Sequence, residues 1–315
     1  MDRSTTDTAS QAASLAASLA ADLTRRSASN LWFVGRALPS RKRELFEAAY
    51  ATMRVVDDFV DDTFLARGPA ERAETRLEAL TTIDRWEQAA EAALEGRIAE
   101  TGDPRDDALF DALRGAADGS DMPCRPWNAL AEAMRFDVTE GRLITWQDFE
   151  AYCDGATVAP AAVFLHVLHA DPTTLRAELT ADALFQKARA MATFCYLVHI
   201  QRDFAKDHAR GGQLLTVPKE CAGGPPPQGS GPEACLPVLK ALGERAAVYR
   251  EMARADLAAM VPNLSMRERG ILEALFGIYE GLQDDLNRDP MPCEEGRRRV
   301  TARLRETLLD RLGLS

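Results

Sequence analysis

Basic charge is in short supply in this 315-residue chain. Lysine and arginine number 38 against 49 aspartates and glutamates, a formal net charge of −11. That argues against a nucleic-acid partner, because a phosphate backbone demands a basic footprint. An anionic substrate is still admitted, since bound metal ions invert the local sign. The six cysteines (Cys124, Cys153, Cys195, Cys221, Cys235, Cys293) form no Cys-x-x-Cys pair and no zinc spacing. In a chain of this length they read as reduced, mostly structural thiols of a cytoplasmic protein. Long apolar runs are also lacking. The best, 155–170, falls short of the roughly 18–20 residues of a membrane span and carries His166 and His169. The alanine-rich stretch 12–21 has no basic segment before it and has Asp2 and Asp7 instead, so no secretory signal is read. The expectation is a cytoplasmic protein without a transmembrane segment. Transient contact with a membrane surface and the oligomeric state stay open.

Alternating, β-branched strand patterns are scarce, and no short repeat or heptad run occurs. Helical periodicity instead covers 11–25, 41–65, 69–100, 106–117, 127–140, 146–170, 181–208, 233–260, 265–287 and 293–312. Ser40, with Glu44 in the following turn, marks a helix start. Asp106 and Ser265 sit where N-caps belong, and Glu268 completes a capping box with Ser265. With 46% apolar residues there is enough material for a core. The expected fold class is all-α, one domain over 1–315, with 1–26 as an N-terminal helical extension. Residues 221–232 contain Gly-Gly-Pro-Pro-Pro and Gly-Ser-Gly-Pro, which forbid a continuous helix and read as a surface loop.

Two acidic segments stand out. One is Met53-Arg54-Val55-Val56-Asp57-Asp58-Phe59-Val60-Asp61-Asp62; the other is His199-Ile200-Gln201-Arg202-Asp203-Phe204-Ala205-Lys206-Asp207. Asp57 and Asp61, and Asp203 and Asp207, are four residues apart, which on a helix stacks two carboxylates on one face. Like charges so placed cost about 0.2–0.5 kcal/mol each. Built twice into apolar surroundings, the repulsion asks for a cation. Hard divalent ions take oxygen ligands, and Mg2+ typically uses one or two carboxylates plus substrate phosphates.

The wider contexts carry a resemblance. Leu38-Pro39-Ser40-Arg41-Lys42-Arg43 leads into Ala49-Tyr50-Ala51-Thr52-Met53-Arg54-Val55-Val56-Asp57-Asp58-Phe59-Val60-Asp61. The second segment begins at Leu197-Val198. Between them lies Tyr152-Cys153-Asp154-Gly155-Ala156-Thr157-Val158-Ala159-Pro160, and later come Ile278-Tyr279 and Arg299-Val300. Over about 27–305 the chain resembles the squalene/phytoene synthase family.

That resemblance implies one all-α isoprenoid-synthase domain whose helices surround a large cavity. It implies head-to-head (1′-1) condensation of two farnesyl or geranylgeranyl diphosphates, giving a squalene-, presqualene- or phytoene-type product. It further implies that Asp57, Asp61, Asp203 and Asp207 bind metal, with Asp58 supporting them, and that Asp57 and Asp61 face Asp203 and Asp207. Tyr50, Arg54 and Arg202 would hold or face the diphosphates, and His199, Tyr152, Tyr196 and Tyr279 would line the substrate site. The implied cofactor is Mg2+, with Mn2+ admitted, and NADPH only if the product is squalene. The chemistry of the residues agrees. Ionising an allylic diphosphate needs its leaving oxygens neutralised by metal ions and arginines, and the carbocation needs an apolar, closed wall. Phe33, Phe164 and Phe194, with Ala156 and Ala159, are candidates for that wall.

Four departures mark the chain. His199 stands where the family has a metal-binding Asn, and imidazole suits Mg2+ less well than an amide oxygen. Tyr196 stands where a Gln is common, and its π face suits a cation. The segment 210–218 keeps Arg-Gly and a later Pro but lacks the usual Tyr. Pro160 replaces glycine and predicts a kink. Plainer readings compete: Arg54 as a salt-bridge partner of Asp58, His199 as a packed histidine, His166 and His169 as core, Tyr152 and Tyr279 as core, and Arg297, Arg298 and Arg299 as a solvated helix start, with a reach of Arg299 to a diphosphate as the alternative to that last reading. The alternatives to the condensation are another metal-dependent terpene synthase or prenyltransferase, or a non-catalytic helical relative that binds prenyl lipids.

Overall fold

The computed structural model describes residues 3–27, 29–209, 216–291 and 294–312, and among them the regular structure is helical. The helices are α1 Arg3–Arg26, α2 Asn30–Gly35, α3 Ser40–Asp58, α4 Pro69–Leu94, α5 Pro104–Ala116, α6 Arg125–Val138, α7 Trp146–Cys153, α8 Ala159–His169, α9 Ala181–Ala209, α10 Pro232–Met260, α11 Met266–Arg288 and α12 Glu294–Leu312. Two π-helical turns interrupt them, Phe59–Phe64 after α3 and Asp154–Val158 between α7 and α8. The all-α expectation holds. By contacts the chain divides into two compact units, Met1–Glu140 with Ala159–Phe185, and Gly141–Val158 with Gln186–Ser315.

In the first unit α3 is the central helix. It packs on α1, α5, α6 and α8, and every residue from Ala48 to Met53 is buried. Alanines at 48, 49 and 51 let the neighbouring helices approach closely, while Leu45, Phe46 and Val56 fill the gaps between them. Polar ties fix its position. Thr24 donates to the Glu47 carbonyl (3.0 Å), and buried Lys42 donates to the Leu168 carbonyl at the end of α8 (2.9 Å). α1 contributes Ala16, Ala20 and Leu23 to the core against α3 and α5.

In the second unit α9 runs beside α10 and α11, with Phe194 tilted against Phe276 at 5.6 Å and Ile200, Leu239, Leu242 and Ile278 buried. α7 is tied to α10 through Glu150, which accepts from Arg245 and from the Tyr249 hydroxyl, both at 2.5 Å.

Several local expectations need correction. α2 escaped the periodicity because it is only six residues long; Ser29 caps it by accepting from the Trp32 N–H. Ser40 is the first helical residue and Pro39 the N-cap, without a side-chain bond. The cap of α5 is Asp103, not Asp106, because Pro104 occupies the first turn and the Asp103 carboxylate accepts from the Arg105 and Asp106 N–H groups. α4 stops at Leu94, not 100, where Gly96 takes a left-handed φ of +76°. Ser265 and Glu268 form the predicted capping box. The 221–232 loop stays non-helical through Gly231. The interruption at Pro160 takes the form of the π turn directly before it. The stretch Trp146–His169 is long and apolar enough for a membrane span by composition, but 67% of that window is buried inside the protein.

Candidate active site

The first cluster of candidate residues sits at the end of α3, which is held at Thr52. The Thr52 carbonyl accepts from the Trp86 indole (2.7 Å), and its hydroxyl accepts from the Trp127 indole (3.0 Å) while donating to the Ala49 carbonyl (2.8 Å). Two indoles on one buried residue fix the helix two positions ahead of Arg54. The Arg54 guanidinium then pairs with both Asp57 and Asp58. Tyr50, one turn earlier, is buried against Phe46, and burial raises its hydroxyl while Arg54 opposes the shift.

Asp61 differs from its neighbours. It lies inside the π turn Phe59–Phe64, so the two acids are not stacked by α-helical spacing as expected. Among the described residues no ion pair reaches it. Burial, then the charges of Asp57 and Asp137, push its carboxyl up to about 8. Asp57 and Asp58 are raised too, by burial first, with Arg54 opposing. The cluster therefore carries more negative charge than Arg54 balances, and Asp61 takes up a proton or a cation.

The second cluster is built on α9 and α11. His199 Nε2 lies 2.7 Å from the Tyr279 hydroxyl, and the two rings stack at 5.2 Å. Burial, then the charge of Arg202, push the imidazole down to about 3, so it is neutral. Arg202 donates from Nε (3.1 Å) and Nη2 (2.6 Å) to the two oxygens of Asp203. Burial works to raise Asp203, but those bonds and the Arg202 charge outweigh it and hold the carboxyl below its usual range. The charge of Asp207, one turn on, also acts on Arg202. A pocket of about 200 Å³ opens beside Arg202, walled by Leu282, Leu286 and Val300. Tyr196 and Tyr152 make an aromatic group with Phe149: Tyr196 stacks on Phe149 at 6.0 Å, lies 6.4 Å from Tyr152, and its hydroxyl is 2.6 Å from Thr216 Oγ1.

The structure thus joins Tyr50, Arg54, Asp57, Asp58 and Asp61 in one cluster, and His199, Arg202, Asp203 and Tyr279 in another. Phe33, Phe164 and Phe194 are packed core, Phe164 edge-on to Phe46 at 5.3 Å. Arg299 faces solvent, paired with Glu295. His166 and His169 are buried, with His166 Nε2 3.4 Å from an Asp121 oxygen. Residues 210–215 of the altered loop lie outside the described residues. Charged neighbours from other helices escaped the sequence reading, Arg105 of α5 beside Asp58 among them. Asp137 of α6 acts on Asp61, and half-buried Arg305 of α12 acts on His199 and on Arg202. None belongs to a local pattern; only the fold places them.

The donor chemistry fits a hard divalent cation. All the carboxylates offer oxygen, and Asp61 is short of positive charge. Among the described residues no group of three or more His, Cys, Asp and Glu forms a ready cage. Mg2+ typically takes one or two carboxylates and is completed by substrate phosphates. His199 does not fit as a ligand through Nε2, which Tyr279 already engages.

A sequence model of the family described as squalene/phytoene synthase matches residues 24–306. The chain belongs to the squalene/phytoene synthase family. Members of that family are prenyltransferases acting on prenyl diphosphates. The chain is 28% identical over 203 residues to the 15-cis-phytoene synthase of Synechococcus elongatus, covering 64% of this chain and 60% of that one. It is 27% identical over 177 residues to the chloroplastic phytoene synthase 1 of Arabidopsis thaliana, covering 56% and 37%. The match thus spans less than two thirds of those relatives' lengths. Among solved structures, a dehydrosqualene synthase in complex with ligand aligns with TM-score 0.62 at 18% identity, over 95% of this chain and 99% of its own. A squalene synthase from Alicyclobacillus acidocaldarius aligns with TM-score 0.63 at 19% identity, over 88% and 95%. These share the fold.

Proposed function

We propose that this chain condenses two prenyl diphosphates head to head, releasing diphosphate, with Mg2+ as its metal and Mn2+ as a substitute. The observation that carries the reading is the acidic cluster itself: in a chain that matches the family model over 24–306, Asp57, Asp58 and half-buried Asp61 gather at the end of α3, where the Arg54 guanidinium is already shared by Asp57 and Asp58. Asp57 and Asp61, and Asp203 and Asp207, would hold the metal, which supplies neutralisation of the charge that develops on the departing diphosphate. Arg54 and Arg202 donate to diphosphate oxygens, for which a planar guanidinium is suited. Tyr196 and Tyr152 offer π faces to the allylic cation.

The relatives named phytoene synthase support geranylgeranyl diphosphate as the first substrate to test, with farnesyl diphosphate beside it. NADPH enters only for a squalene product. A cytoplasmic location, with the apolar product passing to a nearby membrane surface, completes the proposal. The test is incubation with each prenyl diphosphate and Mg2+, with and without NADPH, followed by mass analysis of the extract. A C30 or C40 hydrocarbon or its diphosphate precursor is expected; absence of both product and diphosphate release overturns the reading.

A further inference from the structure

The helix that carries His199, Arg202 and Asp203 presents a buried amide on its opposite flank. Gln201 lies two residues from both His199 and Asp203, and at 3.6 residues per turn that places it roughly 160° around α9 from each. It is 6% exposed. Its Nε2 donates to the Leu239 carbonyl of α10 at 3.1 Å, while its Oε1 has no hydrogen-bond partner among the described residues. A leucine or methionine would fill the same space without that orphaned acceptor, so the amide costs stability and calls for a reason.

Gly243 of α10 supplies the context. A Cβ there would stand 3.0 Å from Gln201 Nε2, so the amide occupies the space a side chain at 243 would take. The same Gly243 carbonyl accepts from Gln283 Nε2 of α11 at 3.5 Å. Gln283, 1% exposed, accepts in turn from Arg250 Nη1 at 3.2 Å, and Arg250 is paired with Glu280 and Asp284. Gln283 is one turn beyond Tyr279, the hydroxyl partner of His199. α9 and α11 are therefore joined in two layers. One layer is His199 to Tyr279 on the front. The other runs from Gln201 through Leu239 and Gly243 to Gln283 on the back.

We infer that Gln201 is a positioning residue: seated against Gly243, it fixes the rotation and register of α9 so that His199 meets Tyr279 and Arg202 grips Asp203. An apolar side chain tolerates small rotations, whereas a directed hydrogen bond in a gap one atom wide does not. Misplacement of a catalytic shell by about 1 Å can cost on the order of 100-fold in rate. The inference rests on the proposed condensation only for its catalytic consequence; the positioning itself is read independently.

The test is a double-mutant cycle between Gln201→Ala and Gly243→Ala, with Gln201→Met as the volume-conserving variant. Three quantities are read: thermal melting, the NMR signal of His199 Nε2 among the four histidines, and kcat for diphosphate release from a prenyl diphosphate with Mg2+. Gln201→Met is expected to melt within a few degrees of the parent, to shift the His199 signal, and to lower kcat about tenfold or more with a smaller change in KM. Gly243→Ala is expected to reproduce the signal shift by displacing the amide, and it serves if Gln201→Met does not fold. The double variant is expected to be no worse than Gln201→Ala alone. An unmoved His199 signal in Gln201→Met and Gly243→Ala, or strictly additive effects in the cycle, overturns the inference. If the parent protein turns over no prenyl diphosphate, the proposed function falls, while the melting and NMR arms still decide the role of Gln201.

Discussion

His199 and Tyr279 are locked face to face, with a hydrogen bond of 2.7 Å and rings stacked at 5.2 Å. The bond engages Nε2, so the imidazole that replaces the family's asparagine is turned toward a phenol. His199→Asn is expected to free Tyr279 and restore an amide oxygen, tightening binding of Mg2+ with inorganic diphosphate several-fold. Isothermal titration of the two proteins side by side measures it. Unchanged affinity would mean that position 199 does not reach the metal.

The same imidazole gives stability a pH dependence of definite sign. Its folded value is pushed to about 3 by burial and Arg202, below the ordinary 6.5. Between those values the unfolded chain binds a proton that the folded chain refuses. Stability is therefore present above pH 6.5 and is lost as pH falls toward 3, by up to about 1.4 kcal/mol per pH unit from this group. Thermal melts from pH 7 to pH 4 are expected to fall less steeply in His199→Asn than in the parent.

Asp61 acts in the opposite sense. Its carboxyl is raised to about 8, so folding holds a proton there that the unfolded chain releases above pH 3.8. That contribution is full below pH 3.8 and is lost as pH rises through 8. Asp61→Asn is expected to raise the melting temperature of the metal-free protein at pH 8 and to abolish the further stabilisation that Mg2+ with diphosphate gives the parent. In the parent, metal binding is expected to expel a proton and to tighten as pH rises toward 8. Calorimetry in buffers of different ionisation enthalpy counts that proton.

Arg54 balances Asp57 and Asp58. Arg54→Ala leaves two raised carboxyls without their cation. It is expected to cost about 1–3 kcal/mol, less than a fully buried pair because all three side chains keep some solvent. Arg54→Lys keeps the charge but not the fork, so it is expected to recover most of the stability and little of the turnover. Chemical denaturation set beside diphosphate-release rates separates the two.

Gly35 is required by a ring. A Cβ there would lie 2.8 Å from Phe46 Cε1, and Phe46 is 1% exposed and hemmed in by Phe164 and Tyr50. Gly35→Ala is expected to destabilise by about 1–3 kcal/mol through overpacking, read as a lowered midpoint in denaturant.

The helical class, the long helices and the order of both acidic segments were legible because each rests on local periodicity and local spacing. α2 was not, since six residues barely complete a period; nor was the cap of α5, where three acids crowd one turn and only Pro104 tells which comes first. The site was legible where chemistry lies along one helix, as from Tyr50 to Asp58 or from His199 to Asp207. It was hidden where another helix supplies the charge. Asp137 and Arg305 have no motif around them, and the seat of Gln201 depends on a glycine far along the chain. The stacking of Asp57 on Asp61 was misjudged for a different reason: spacing arguments assume one helical period, and Phe59–Phe64 uses another.

That π turn has a consequence for how the segment can change in length. The Leu65 N–H reaches back five residues to the Val60 carbonyl at 2.9 Å, which is the α-helical ladder with one residue looped in. Excising exposed Thr63 would let the ladder close at its ordinary period and turn everything downstream by about 100° relative to α3. The segment after Asp61 can therefore absorb a single-residue deletion without unravelling. Such an event would leave Asp57, Asp58 and Asp61 in sequence register while it re-aims the helix that follows.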